Sequence, residues 1–453
     1  MHLFSAVLVF SAVSLSDVSV VWNPKTGFSP QGRAWTAAGL ADLTNALSKV
    51  TGRVARVYAE AECPDGLANA IYYGDTAAAR EAGCAADPLR RGDWRLKVTA
   101  DAAYLYAKGG TGAAFAATDF RERWCGYHFL TAEGDDPYTV DPALRLPIAD
   151  VTVRPALYKR SVYTSRYGMW SDYARRRRIG ELDEELEGEY RVSYNVKDVK
   201  GATRLCHTSF SYLPPEKYFK DHPDWYAKLA GVRKASSEYP FGQLCLSNPE
   251  MREEALRRLL EIIATDRREF PTDYPTVYDF TQQDCSDTMC ECAACRKIAA
   301  KYNRVPGGWT EGGDAGLQLE FINHLAREAR KHYPDVQLRT FAYMSTECPP
   351  KPGTIRPEPN VNIWWCDCYS LSDHMRRLDG GTDFNALQAK RVAEWLKLTD
   401  NVTVWDYMLY GGFDGTPDMP EWSGDAIAAA AKFFRDCGLV RMSMESEALD
   451  LLQ

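Results

Sequence analysis

The chain has 453 residues, of which 45% are hydrophobic, and 62 acidic side chains against 54 basic ones give a formal net charge of −8. This composition is typical of a folded globular protein and excludes a disordered chain. Binding to nucleic acid through its phosphates needs a basic surface, so the acidic balance argues against a nucleic-acid partner. The length exceeds what one hydrophobic core usually supports, and it predicts two or three domains.

The N-terminal segment MHLFSAVLVFSAVSLSDVSV contains an apolar run from Leu3 to Val13, followed by a Ser-Leu-Ser triplet. This arrangement is typical of a secretory signal peptide, so residues 1–16 predict export to the periplasm or the exterior. The run lacks the Lys or Arg that usually precedes it, and the first strand of a folded domain is the alternative interpretation. Because the run is shorter than the ~20 apolar residues of a bilayer-crossing helix, and no later run is longer, we expect no membrane span.

Residues 17–150 are predicted to form a smaller α+β domain. Leu40, Leu43 and Leu47 recur at helical spacing, and Gly52 follows at the position of a helix C-terminus. RVARVYAE and NAIYYGD read as strands, and DWRLKVTADAAYLYAKGG reads as a hairpin. The GGTG sequence that follows lacks the Lys and Ser or Thr of a phosphate-binding loop, so we interpret it as a turn before a closely packed helix.

Residues 155–453 repeat the order strand, loop, helix. The eight predicted strands end near the segments LYKRSVYTSR, TRLCHTSF, FGQLCLSN, PTVYDFTQQD, VQLRTFAYMS, VNIWWCDCY, NVTVWDYMLY and GLVRMSMESE. This order is that of a (β/α)8 TIM barrel, in which functional groups lie at the carboxyl ends of the strands. The chain ends eight residues after Glu445, so we expect the last helix to be very short or truncated.

Several segments carry a family resemblance. HPDWYAKLAG, CLSNPE, FTQQDCSDTMCECAAC, FINHLAREARKHYPDVQLRTFAYMSTECPP and PNVNIW together resemble an uncharacterised bacterial family of glycoside-hydrolase-like barrels, a domain of unknown function. LTNALSKVTGR, AIYYGD and GGTGAAFAATDFRERWCG are similar to the N-terminal accessory domain of α-glucuronidases. The resemblance implies a secreted or periplasmic carbohydrate-active enzyme, with no particular substrate.

Three carboxylates at predicted strand ends are the candidate catalytic residues. Hydrolysis of a glycosidic bond needs two carboxyl groups, one on each side of the scissile oxygen. Asp284 follows the fourth predicted strand, Glu445 ends the eighth, and Asp406 ends the seventh as an alternative partner. We predict Asp284 as acid/base and Glu445 as its partner, with interchangeable roles. The alternatives are a capping or loop carboxylate for Asp284, a first-turn helix acid for Glu445 and a structural strand end for Asp406.

Polar and aromatic side chains at the same strand ends are candidates for substrate binding, since sugar C–H faces pack on aromatic rings while the hydroxyls take hydrogen bonds. They are His207, Asn248, Gln283, Tyr343, Trp365, Trp405 and Tyr407. Strand alternation sends neighbouring side chains to opposite faces, so a buried core position is the alternative for the aromatic residues. Asn248 also fits the N-cap of the helix that begins at Pro249, and His207 also fits a buried histidine.

Four cysteines follow the candidate acid within eleven positions: Cys285, Cys290, Cys292 and Cys295. In an exported protein they are interpreted as disulfides that hold a barrel loop. A structural zinc ion is the second interpretation, although structural zinc sites usually combine two separated cysteine pairs. Reduced or redox-active thiols are the third.

The predicted function is that of a glycoside hydrolase acting on a poly- or oligosaccharide, with a uronic-acid-containing glycan as a candidate substrate. The alternative is a non-catalytic carbohydrate-binding protein on a glycosidase-like barrel, because a fold does not fix a function. A metal-dependent hydrolase or lyase is disfavoured, since the sequence contains no His-x-His or His-Glu-x-x-His pattern. No cofactor is expected other than zinc at the cysteines, and the sequence predicts no particular oligomeric state.

Overall fold

The computed structural model forms two compact units, one comprising Met1–Ser161 and Ser165–Gly188, the other Val162–Thr164 and Glu189–Gln453. It describes residues 11–129, 137–163, 172, 175–179, 192–236, 242–271, 274–285, 289–304, 313–367, 383–409 and 424–446. Within these ranges the structure describes only the backbone of residues 11–12, 161–163, 383–385, 407–409, 424–427 and 444–446. None of the described helices combines the length and apolarity that crossing a bilayer requires.

The first unit is built around a mixed sheet. Its strands are β1 Ser11–Ser14, β2 Ser19–Trp22, β3 Arg56–Ala59, β4 Ala70–Tyr73, β5 Trp94–Val98, β6 Ala102–Tyr106, β7 Arg145–Pro147 and β8 Ala149–Val153. Its helices are α1 Pro30–Thr51, α2 Ala77–Glu81 and α3 Gly110–Cys125, with 3-10 turns at Leu15–Asp17 and Glu60–Glu62. The strand order is β3-β2-β4-β6-β5-β8, in which β5 runs antiparallel to β6 and β8, and the other pairs are parallel.

Helices α1 and α3 cross at small residues. The Ser29 side chain caps the N-terminus of α1 by accepting from the Gly32 amide, and Gly52 ends the helix in the left-handed conformation. A Cβ on Gly110 would lie only 1.8 Å from the Gly32 carbonyl oxygen, so only glycine permits this approach. The GGTG sequence therefore forms a closely packed helix start, as predicted.

The N-terminal strand belongs to the core of the first unit. β1 pairs antiparallel with β7, and the Asn69 side chain bonds both the amide and the carbonyl of Ser14. Val13 and Leu15 are 1% and 2% exposed and pack in the main hydrophobic cluster of this unit. Part of the segment predicted as a signal peptide is thus a buried strand in this structure, and export stays a prediction.

The second unit contains a largely parallel sheet surrounded by helices. Its strands are β10 Lys228–Leu229, β11 Val232–Arg233, β12 Val277–Asp279, β13 Gln337–Ala342, β14 Val361–Asp367, β15 Val402–Leu409 and β16 Arg441–Ser446, and the last two residues of β9 Lys159–Tyr163 also belong to it. Its helices are α4 Ser209–Tyr212, α5 Pro215–Tyr218, α6 Pro249–Glu269, α7 Ala293–Tyr302, α8 Ala315–His332, α9 Asp383–Leu396 and α10 Gly424–Asp436, with 3-10 turns at Pro223–Trp225 and Met344–Thr346.

The large sheet has the order β12-β13-β14-β15-β16-β9, and the pairs from β12 to β16 are parallel. This is a half-barrel sheet, and within the described residues a complete (β/α)8 barrel is not confirmed. The predicted second and third strands, at residues 203–210 and 241–248, are wrong for the described residues. There Thr203 and Leu244 form only isolated antiparallel bridges, and Val192 instead bridges Val277 in parallel.

Alternation places the sheet residues on two faces. Trp365 lies against Phe434 of α10 with ring centroids 6.1 Å apart, so its row faces the helices. Phe341 and Trp364 belong to the opposite row, together with Arg339. Phe341 and Trp364 of this second row pack in one cluster with Tyr343, which follows β13.

Candidate functional site

A cavity of about 440 Å³ opens beside the segment that follows β12. Its described walls comprise Asp198, Val199, Lys200, Arg204, His207, Phe210, Ser211, Glu216, Ser236, Gln283 and Asp284. The volume is in the range of ligand sites, and the walls mix carboxylates, cations and hydrogen-bonding groups. Such a lining suits a polar ligand that carries many hydroxyl groups.

Asp284 presents its carboxylate to this cavity, with 56% of the side chain exposed. The Tyr343 hydroxyl donates a hydrogen bond of 3.1 Å to Asp284 Oδ1. This hydrogen bond fixes the direction of the Asp284 carboxylate. The arrangement therefore suits Asp284 as a general base, a nucleophile or an acceptor for a sugar hydroxyl.

His207 is the second polar group beside Asp284. Its Nε2 lies 3.9 Å from Asp284 Oδ1, and its Nδ1 donates to the Gln282 carbonyl oxygen at 2.9 Å. Burial lowers the pKa of His207 more strongly than the Asp284 charge raises it, so the neutral ring is favoured. With the proton on Nδ1, the Nε2 lone pair faces the cavity as an acceptor.

The backbone at His207 is held in an unusual conformation, with φ of 53°. Side-chain bonds maintain it, since Gln283 Nε2 donates to the His207 carbonyl and to Ser209 Oγ, each at 2.9 Å. On the other side, Gln282 Nε2 donates to the Tyr343 carbonyl oxygen at 2.9 Å. The two glutamines thus bind together the three segments that carry His207, Asp284 and Tyr343. Strain that neighbouring contacts maintain in this way is frequent at functional sites.

A buried ion pair and an aromatic row lie next to these groups on the inner sheet face. Arg339 of β13 binds Asp279 of β12 through both nitrogens of its fork, and the two side chains are 3% and 1% exposed. The Arg339 guanidinium also lies 3.7 Å from the centroid of the Trp364 ring. The ring centroids of Trp364 and Trp405 are 4.9 Å apart. These contacts join the side chains of four neighbouring strands, β12 to β15, on the inner face of the sheet.

Four thiols form a separate group near the site: Cys245, Cys290, Cys292 and Cys295, whose sulfur atoms all lie within 4.8 Å of one another. These four cysteines are free thiols in the structure. Cys285 was predicted in this group, but its sulfur accepts from Gln243 Nε2 at 3.1 Å instead. Cys245 takes the fourth place, and its distance in sequence from the other three hid it from motif reading.

Comparison with known proteins gives a family. Residues 139–449 match the family model described as "Domain of unknown function (DUF4838)", which covers more than half of the chain. The chain belongs to the DUF4838 family. No curated protein matches it.

The solved structures similar to this DUF4838 chain include several glycoside hydrolases. A GH115 4-O-methyl-α-glucuronidase with specificity for decorated arabinogalactans has a TM-score of 0.51 at 12% identity, over 96% of this chain and 55% of that one. The β-N-acetylhexosaminidase of Bacteroides fragilis has a TM-score of 0.41 at 14% identity, over 97% and 83% of the two chains. The GH115 likeness shows a glycosidase-like fold, as the resemblance implied. The α-glucuronidase-like accessory domain at residues 17–150 stays a prediction.

Among the predicted site residues, the structure brings together Asp284, His207, Gln283 and Tyr343. Trp405 lies nearby, half-buried, in the aromatic row. These residues come from different segments of the DUF4838 match, and their approach depends on the parallel pairing of β12 with β13 and β14 with β15.

Two predicted residues lie on the other face of the sheet. Trp365 is fully buried against Phe434. Asp406 pairs in register with Asp367, two positions after Trp365, and is 4% exposed. Neither is among the described residues that line the cavity, so the substrate-binding role of Trp365 and the catalytic role of Asp406 are not supported by their positions.

Asn248 is a helix cap. Its Oδ1 accepts from the Met251 amide at 3.0 Å, and its Nδ2 donates to Asp224 Oδ2 at 2.6 Å. The alternative interpretation of this residue is the one the structure favours. For Glu445 and Tyr407 the structure gives only their backbone pairing across β16 and β15. Their side chains lie outside the described residues.

Sequence reasoning missed four charged residues in the cavity wall: Asp198, Lys200, Arg204 and Glu216. The first three lie in an irregular stretch without a periodic pattern, and Glu216 lies in the short helix α5. Arg204 Nη2 binds Asp198 Oδ2 at 2.8 Å, which orients its guanidinium at the wall. Only the spacing Asp-x-Lys with a following Arg in DVKGATR was available in the sequence as a signal, and it is not specific.

Proposed function

We propose that the chain is a glycoside hydrolase whose substrate, a poly- or oligosaccharide, occupies the cavity at Asp284. The observation that carries the proposal is one exposed carboxylate, oriented by a tyrosine hydroxyl and adjacent to a neutral histidine, in a cavity large enough for a sugar. This combination is what a polar substrate and acid/base chemistry require. The glycosidase-like fold is consistent with it.

In this proposal Asp284 acts in its ionised form. The Tyr343 hydrogen bond orients the carboxylate, and Asp284 attacks the anomeric carbon or takes a proton from water. The His207 Nε2 lone pair accepts a hydrogen bond from a substrate hydroxyl and so holds the sugar beside the Asp284 carboxylate. This assignment is narrower than the interchangeable roles expected from the sequence.

A second carboxyl group must protonate the leaving oxygen. Glu445 is the proposed partner because it is the last residue but one of β16 and pairs in register with Tyr407 of β15. Glu216 is a second candidate, because it lines the same cavity as Asp284. The two candidates are separated by substitution.

The proposed substrate carries a uronic acid. Lys200 and Arg204 both line the cavity, and Asp198 holds the Arg204 guanidinium at its wall. A carboxylate on the sugar would gain charge-assisted hydrogen bonds from these two cations. They are the support for an acidic glycan as the substrate.

Release of reducing sugar from a panel of uronate-containing and neutral glycans tests the proposal. We expect the full chain to cleave an acidic glycan, and Asp284→Asn to lower the rate by about 10²- to 10⁴-fold, as loss of a catalytic acid or base usually does. Glu445→Gln and Glu216→Gln are compared in the same way, and the one with a similar loss identifies the partner. Asp101→Asn, an exposed carboxylate of the first unit, is the matched control.

The alternative outcome defines the second function. If no glycan is cleaved but an acidic glycan binds, and Asp284→Asn or Lys200→Gln weakens that binding, the chain is a carbohydrate-binding protein. Equal rates for wild type and Asp284→Asn would contradict the proposal for this site.

A further inference from the structure

The geometry points to a structural zinc ion bound by Cys245, Cys290, Cys292 and Cys295. Tetrahedral zinc with four thiolates has Zn–S bonds of about 2.3 Å, which corresponds to S···S separations of about 3.8 Å. The Cys245 sulfur lies 3.6 Å from those of Cys290 and Cys292 and 3.9 Å from that of Cys295. The three distances from Cys245 match this separation, and all four sulfur atoms lie within 4.8 Å of one another.

The donors around the sulfur atoms favour thiolates over disulfides. The Lys228 amide donates to Cys290 Sγ at 3.2 Å, and the Cys295 amide donates to Cys292 Sγ at 3.4 Å. Amide donors of this kind stabilise metal-bound thiolates and fix their direction. Two disulfides would use the same four sulfurs, but each would need a pair about 2 Å apart.

Charge and burial also fit a metal. Cys245, Cys290 and Cys295 are buried, with at most 4% exposed. The net charge of zinc with four thiolates is negative, and the Arg233 guanidinium is a neighbouring cation that interacts electrostatically with Cys245, Cys290 and Cys292. Ser247 adds a hydroxyl 3.5 Å from Cys292 Sγ. A buried metal–thiolate centre thus finds a compensating cation and polar neighbours.

The ion would join segments that have little regular structure. Cys245 lies in the irregular segment before α6, and the other ligands precede or begin α7. The first segment bonds the candidate site directly, because Gln243 Oε1 accepts from the Gln283 amide at 3.0 Å and its Nε2 donates to the Gln283 carbonyl at 3.0 Å. Zinc at the four cysteines would therefore fix the segment that holds Asp284. This role does not depend on the proposed reaction.

Metal content tests the inference directly. The full chain, purified under reducing conditions without chelator, is analysed by inductively coupled plasma mass spectrometry, and we expect about one zinc per chain. Cys290→Ser should lower the content at least about tenfold, because a ligand is lost. Cys285→Ser is the matched control, a neighbouring buried cysteine outside the group, and it should retain the zinc.

A second measurement on the wild type does not depend on whether the variants fold. Alkylation of the native chain with and without a chelator, read by peptide mass spectrometry, should show the four ligands protected until zinc is removed. Iron in place of zinc, disulfides among these four cysteines, or alkylation of the four without chelator would each overturn the inference. Absence of glycosidase activity would leave it unaffected, so failure of the proposed function is distinguishable.

Discussion

The pair Asp284 and His207 shows how one side chain sets the state of another. Nδ1 of His207 is occupied by the Gln282 carbonyl, so a neutral ring must present Nε2 without a proton. Burial opposes the imidazolium, while the Asp284 charge favours it less strongly. The result is a pair of acceptors 3.9 Å apart, which suits a ligand that brings hydroxyl protons.

This balance predicts a pH dependence of stability. The pKa of His207 is lowered in the folded chain, so the unfolded chain binds the proton more readily. The stabilisation is fully present above the unfolded pKa of about 6.5 and is lost as the pH falls through the folded pKa. In urea unfolding, we expect the wild type to lose more stability than His207→Gln as the pH falls from about 7 to about 5. Identical slopes would show that His207 titrates as freely in the folded chain as in the unfolded one.

At the scale of elements, short strands carry much of the order in the first unit. β1 has four residues, yet its Val13 and the Leu15 that follows it are buried, and the Asn69 side chain makes two hydrogen bonds with Ser14. An isolated strand of this length has no stability of its own, so its position is imposed by the core. The same strand overlaps the segment that reads as an export signal.

Deletion distinguishes the two roles of this segment. Removing residues 1–16 takes away two buried apolar side chains, each worth about 1.5–3 kcal/mol, whereas removing residues 1–10 leaves β1 intact. We therefore expect chain 17–453 to unfold at lower urea concentration than chain 11–453. Urea unfolding of the two chains checks this expectation. N-terminal sequencing of protein exported by its host shows where the mature chain begins. A mature N-terminus at Asp17 with undiminished stability would show that β1 is dispensable.

At the scale of the whole molecule, the two units are not consecutive in sequence. Residues 165–188 belong to the first unit, although β9 before them joins the sheet of the second. In the first unit Arg175 forms a buried ion pair with Asp42, and Arg176 Nη2 lies 3.1 Å from Asp42 Oδ1. A single cut in the chain therefore cannot separate the units cleanly.

Two fragments test this organisation. Fragment 1–161 lacks both arginines and leaves Asp42 buried without them, whereas fragment 1–188 keeps them. Loss of one side of a buried ion pair costs on the order of 3–5 kcal/mol. Thermal unfolding followed by circular dichroism should show fragment 1–188 as the more stable of the two. A fragment 1–161 of equal stability would place the boundary of the unit before residue 165.

The sequence by itself determined the elements that depend on neighbouring residues. The helices at Pro249–Glu269 and Ala315–His332 follow from periodicity and end signals, and so do the five strands from β12 to β16. The position of Asp284 in the segment that follows β12 was readable for the same reason.

Only the tertiary structure decided which strand-end residues meet. Periodicity cannot distinguish a strand from an extended loop, so residues 203–210 and 241–248 were predicted as strands, although their described backbone bonds mostly to other loops. The face of the sheet on which a side chain lies is known only from what it contacts. Trp365 contacts Phe434, so its row faces the helices. Asp406 belongs to the same row because it pairs in register with Asp367. Cys245 joins cysteines 45 to 50 positions away because both segments bond the backbone of residues 225–228. The Cys245 amide donates to the Trp225 carbonyl at 2.7 Å and the Glu291 amide donates to the Lys228 carbonyl at 2.8 Å, which no local pattern in the sequence records.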